Sequence, residues 1–73
     1  MKLNEVVKTN NTKHCMCGVV TAVKIIKNKY PKWEYYVMGF VKGIIGRPED
    51  WYILGFEKDF ESAEAAAKWY IGE

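Results

Sequence analysis

His14-Cys15-Met16-Cys17 is where this chain gathers side chains able to hold a metal or attack a substrate. His and Cys are soft ligands, and a closed zinc site takes four of them. The cluster offers three, His14, Cys15 and Cys17, and the chain has no second His and no third Cys. A tetrahedral site would need a carboxylate, a water or a second subunit, so neither a metal nor another cofactor is expected. A Cys–His nucleophile needs its two side chains in hydrogen-bond contact and a third group to orient them. His14 and Cys15 are neighbours on a loop or extended chain, where successive side chains point apart. Cys15 and Cys17, one residue apart, are also poorly placed to bridge each other. Without a disulfide framework, a reducing compartment, the cytoplasm, is expected. Glu57, Asp59, Glu61 and Glu64 fall at a strand end and a helix start, where capping and the helix dipole account for carboxylates. There is no phosphate-binding loop and no Gly-rich dinucleotide motif. The expectation is a protein that is not an enzyme.

A second chemistry is spread more widely: lysines interleaved with aromatic rings. Residues 1–48 hold nine basic side chains and two acids, a net +7, while residues 49–73 hold seven acids and two lysines, a net −5. Such an asymmetry either neutralises itself across the fold or leaves a basic surface that attracts phosphate or an acidic protein. At 73 residues and 8.5 kDa, 49% hydrophobic and 27% charged, the chain is one small globular domain, 1–73, too apolar for disorder. No apolar run approaches the roughly 20 residues of a membrane span, and Met1-Lys2-Leu3-Asn4-Glu5 has no signal-peptide character. No membrane partner is expected.

These side chains must be carried by elements. Residues 1–16 read as an N-terminal segment and loop, with a short strand or one helical turn at 3–8 and a polar break at 9–13. Residues 17–57 read as the sheet. Val19, Val20, Thr21, Val23, Ile25 and Ile26 are β-branched and predict a strand over 17–27. Pro31 marks the following turn. A second strand is predicted over 33–42 and a third over 51–57, separated by Gly43, Gly46 and Pro48. Ser62 is the expected N-cap of a helix over 62–71. Ala63, Ala66, Ala67, Tyr70 and Ile71 share one face of that helix, and Gly72 is the expected residue after its end. The fold class is α+β: a three-stranded antiparallel meander, β-β-β-α, with the helix packed on one face and an extra N-terminal strand or turn.

Strict alternation sorts each strand into two faces. In the first strand Val19, Thr21, Val23 and Ile25 oppose Val20, Ala22, Lys24 and Ile26. In the second, Trp33, Tyr35, Val37, Gly39 and Val41 oppose Glu34, Tyr36, Met38, Phe40 and Lys42. In the third, Tyr52, Leu54 and Phe56 oppose Trp51, Ile53, Gly55 and Glu57. Both faces are largely apolar, yet one helix covers one face. The other must be covered by the N-terminal segment through Leu3, Val6 and Val7, by a second copy, or by a partner.

Ile53-Leu54-Gly55-Phe56-Glu57-Lys58-Asp59-Phe60-Glu61-Ser62-Ala63-Glu64-Ala65-Ala66-Ala67-Lys68-Trp69-Tyr70 resembles the last strand and helix of two DNA-binding folds. These are the plant ethylene-response-factor domain and the arm-binding domain of phage-type tyrosine recombinases. In both, a strand runs through Phe-x-Ser/Thr into an Ala-rich helix that backs the sheet, and the sheet enters the major groove. The resemblance covers about residues 51–71, and the element order extends it to about residue 18. It implies duplex DNA binding through the strands. Those families carry several Arg on the strands, whereas here Arg47 is the one Arg and lies in a loop. No base-contacting residue is therefore carried over. The Lys- and Tyr-rich chain is also similar to small phage-encoded proteins that block a host factor.

The expected function is a small binding module whose basic, aromatic sheet face contacts nucleic acid or a nucleoprotein. Its candidate residues are Lys24, Lys27, Lys29, Lys32, Tyr36, Phe40, Lys42, Arg47 and Trp51. The alternative is an inhibitor of a host protein, or a homodimer, using the same face with Met38, Ile44 and Ile45. The Ile44-Ile45 pair either tucks onto the core or forms a sticky loop tip.

Overall fold

The computed structural model describes residues 1–15, 18–29, 34–43 and 45–72. β-Branched and aromatic runs form three long strands, β3 (Gly18–Lys27), β4 (Tyr35–Lys42) and β5 (Asp50–Glu57). They are preceded by two-residue strands β1 (Val7–Lys8) and β2 (His14–Cys15), and followed by helix α1 (Phe60–Ile71). The sheet is antiparallel and five-stranded, in the order β1-β3-β4-β5, with β2 also on β3. The fold is α+β, but not three-stranded: the N-terminal segment adds two strands to the outer edge of β3.

That edge pairing decides where the N-terminal segment goes. Asn4 N–H donates to the Ile25 carbonyl at 2.8 Å and Thr9 N–H to the Thr21 carbonyl at 3.0 Å. Val7 pairs with Val23, and His14 with Val19. The segment thus satisfies backbone groups that an open edge would expose, and Val7 packs into the core. Leu3 and Val6 stay 41% and 56% exposed. Of the three covers open to the second face, the one through Leu3, Val6 and Val7 is not met, because edge hydrogen bonds hold this segment beside the sheet.

The core lies between the sheet and α1. Val20, Val23, Ile25, Val37, Val41, Ala63 and Ala67 are buried, with Tyr35, Tyr52, Leu54, Phe60, Ala66, Tyr70 and Ile71 packed around them. Ala63 and Ala67 carry a single methyl each, so α1 comes close to the strands. The helix starts earlier than expected. Asp59, not Ser62, is the N-cap: its Oδ1 accepts the Ser62 N–H at 2.7 Å. That bond holds the Asp59 carboxyl below its ordinary range. The earlier start brings Phe60 edge-on to Tyr35, ring centroids 5.8 Å apart. Gly72 ends the helix as expected, with φ 96° and its N–H on the Lys68 carbonyl at 3.0 Å.

Two bulges break the strict alternation. In β3, Val20 pairs with Val41 and Ala22 with Phe40, leaving Thr21 over; its hydroxyl donates to the Phe40 carbonyl at 3.1 Å. Val20 thereby joins Val23 and Ile25 in the core rather than opposing them. In β5, Ile53 pairs with Met38 and Gly55 with Val37, leaving Leu54 over. Leu54 lies across Gly39, where an added Cβ would come within 2.5 Å of Leu54 Cδ1. Beyond this bulge Phe56 pairs with Tyr36, so it shares a face with Trp51 and Ile53 and not with Tyr52 and Leu54.

Candidate functional site

The face of the sheet away from α1 is built from three cross-strand rows. They are Ala22–Phe40–Trp51, Lys24–Met38–Ile53 and Ile26–Tyr36–Phe56, and Lys8 extends the first across β1. Side chains in register across antiparallel strands touch, and here they pair by ring. Tyr36 meets Phe56 with centroids 5.0 Å apart and planes at 82°. Phe40 meets Trp51 at 5.5 Å and 72°. Both are the edge-to-face arrangement that ring quadrupoles favour. Between the two pairs, the Lys24 ammonium sits 4.3 Å from the centroid of the Trp51 ring, a cation–π contact.

No element of the described chain covers these rows. Ile53 is 44% and Phe56 50% exposed, and Tyr36, Met38, Phe40 and Trp51 are half-buried. No carboxylate stands in the three rows. The acids of β5, Asp50 and Glu57, pair with Val41 and Tyr35 in rows of the α1 side, and Glu34 lies just before β4. Lys8 and Lys24 therefore meet no carboxylate within these rows. No cavity opens among the described residues; the candidate site is a flat platform.

Of the residues singled out from the sequence, the fold brings Lys24, Tyr36, Met38, Phe40 and Trp51 together. Lys42 lies at the rim, beside Val19, with its Nζ 4.0 Å from a Glu49 carboxylate oxygen. Lys27 pairs with Tyr35, in a row of the α1 side, so it does not belong to the platform. Lys29 is exposed in the connection after β3. Arg47 and Ile45 are exposed in the β4–β5 loop, Ile45 at 98%, which settles that this Ile does not tuck onto the core. The loop is anchored beside them by the Tyr52 hydroxyl, which donates to the Pro48 carbonyl at 2.9 Å. Lys32 and Ile44 lie outside the described residues, as does Trp33.

The platform also includes residues absent from the sequence-based candidates: Ile26 and Ile53, which alternation already places on this face, and Lys8 and Phe56, which it does not. Phe56 was hidden by the bulge at Leu54. Its signal was Gly55, since a Gly inside a strand pattern often marks a bulge.

The His14-Cys15 pair sits in β2, not in a loop. His14 is exposed, while Cys15 is half-buried against the core, and that burial raises the Cys15 thiol above its ordinary range. A raised thiol is a poor nucleophile at neutral pH. Cys17 lies outside the described residues, and among the described residues no three His, Cys, Asp or Glu side chains converge to hold a metal. No described helix is long and apolar enough to cross a membrane. Comparison of the chain with protein-family models, curated proteins and solved structures finds no match.

Proposed function

We propose that this chain is a non-enzymatic module that binds nucleic acid through the open face of its sheet. One observation carries the reading: an uncovered platform of two aromatic pairs around Lys24, with Lys8 and Lys42 beside it and no carboxylate in its rows. Rings stack on bases and ammonium groups neutralise phosphates. The resemblance of residues 51–71 to the two DNA-binding folds supports the same face, since their helix also backs a sheet whose other side meets DNA.

Salt titration of binding to a labelled oligonucleotide is the test. If Lys8, Lys24, Lys42 and Arg47 each neutralise one phosphate, log K falls against log salt with a slope of about −3 for a single strand. A flat dependence, or no binding at low salt, refutes the proposal.

The exposure of Ile53 and Phe56 favours a second reading, an apolar protein partner or a second copy of this chain. That interface would be insensitive to salt. Sedimentation of the free protein separates the self-association form, which predicts a dimer at micromolar concentration.

A further inference from the structure

We infer that the nucleic acid this platform takes is single-stranded, with bases stacked on the Tyr36–Phe56 and Phe40–Trp51 pairs. The inference rests on the nucleic-acid reading above and adds the substrate class. It also departs from the duplex that the resemblance implies.

The side chains decide between the two. A duplex hides the faces of its bases and offers their edges, which are read by Arg, Lys, Asn or Gln. The three rows hold no Arg, Asn or Gln, and Lys24 is the one cation within them. What the rows present is ring and aliphatic surface. That surface gains little against a stacked duplex and much against an unstacked base.

Width points the same way. A two-stranded ribbon or one helix fits the major groove, which is about 12 Å wide. Here β1, β3, β4 and β5 lie side by side. Three gaps of about 4.8 Å separate the outer strand axes by roughly 14 Å before side chains are added. The strand that the N-terminal segment adds to β3 thus obstructs the groove insertion that a three-stranded sheet allows.

Spacing completes the argument. Tyr36 and Phe40 are four residues apart on β4, so the two aromatic pairs are about 13 Å apart. Met38 and Ile53 form an apolar step between them. Open sheets that read single strands stack two or three bases in this way. Lys24 in the middle and Lys8 and Lys42 at one end of the rows are placed for the backbone phosphates.

The test compares a labelled oligothymidylate, an oligouridylate of equal length and a mixed-sequence DNA duplex at low salt. At least one single strand should bind about tenfold or more tightly than the duplex, and the two single-stranded arms distinguish DNA from RNA. Tyr36→Leu and Phe56→Leu keep apolar bulk on the sheet, and circular dichroism checks that they fold. Each should weaken single-strand binding about 5- to 150-fold, the range for one lost stacking ring. Duplex binding equal to or tighter than single-strand binding overturns this inference and leaves the nucleic-acid reading standing. Single-strand binding unchanged in both folded Leu variants overturns the stacking claim. Binding of none of the three probes overturns the nucleic-acid reading itself.

Discussion

Ile25 and Ile26 are adjacent, chemically identical and on opposite faces of the sheet, so the same truncation at each measures what covers each face. Ile25 is fully buried beneath α1, whereas Ile26 is half-buried beside Tyr36. Ile→Ala removes three carbons, about 2.4 kcal/mol of transfer free energy at roughly 0.8 kcal/mol per carbon. At Ile25 a closed cavity adds to that, for a total of about 3–4 kcal/mol. At Ile26 about half the transfer term is already lost to solvent and no sealed cavity forms, leaving roughly 1 kcal/mol. A domain of 73 residues has about 4–11 kcal/mol in all. Ile25→Ala should therefore lower Tm by about 12 °C or more, and Ile26→Ala by about 4–8 °C. Urea unfolding followed by circular dichroism gives the same comparison through the midpoint, with m unchanged. Equal losses at the two positions would refute the reasoning, because the Ile26 side would then be as sealed as the Ile25 side. A loss at Ile26 that grows with protein concentration would identify a second copy as the seal.

Other predictions concern the elements that hold the platform in place. Gly39→Ala should destabilise by about 1–3 kcal/mol, since the new methyl collides with Leu54. Adding Leu54→Ala should cost less in that variant than in the wild type, a non-additivity read from a double-mutant cycle in urea. Asp59 has its pKa lowered in the folded state, so its cap is fully stabilising above the ordinary carboxylate range and weakens as pH falls below about 4. Asp59→Asn keeps an equivalent cap without the titration, so its Tm should fall less steeply with acid than that of the wild type. The Glu64 carboxylate, lowered by the chain's N-terminal ammonium and by Lys68, leaves a residual acid dependence of the same sign in the variant.

The strands β3, β4 and β5 were legible because β-branched and aromatic runs are interrupted by Pro31, Gly43, Gly46 and Pro48. The helix face was legible from the spacing of Ala63, Ala67 and Ile71, and its end from Gly72. The start was not, because Asp59 and Ser62 are both good caps and the local sequence does not choose between them; the earlier start places Phe60 against Tyr35. Strands β1 and β2 are two residues each and have no period to read; they exist because β3 offers them an edge. The platform's existence followed from two apolar faces and one helix. Its membership did not, since one extra residue in β3 and one in β5 move Val20 and Phe56 to the opposite side from the one alternation assigns. Lys27 was misplaced for a simpler reason: it was counted for its charge alone, and pairing with Tyr35 puts it on the α1 side.

The central claim is that the exposed sheet face, and not the helix, is where this protein meets its partner. Resonance mapping during titration with a single-stranded oligonucleotide addresses it directly. The account predicts that Ala22, Lys24, Met38, Ile53 and Phe56 shift together while Glu61, Ala65 and Trp69 on the outer side of α1 stay still. Shifts confined to α1, or a silent platform under saturating ligand, would contradict it.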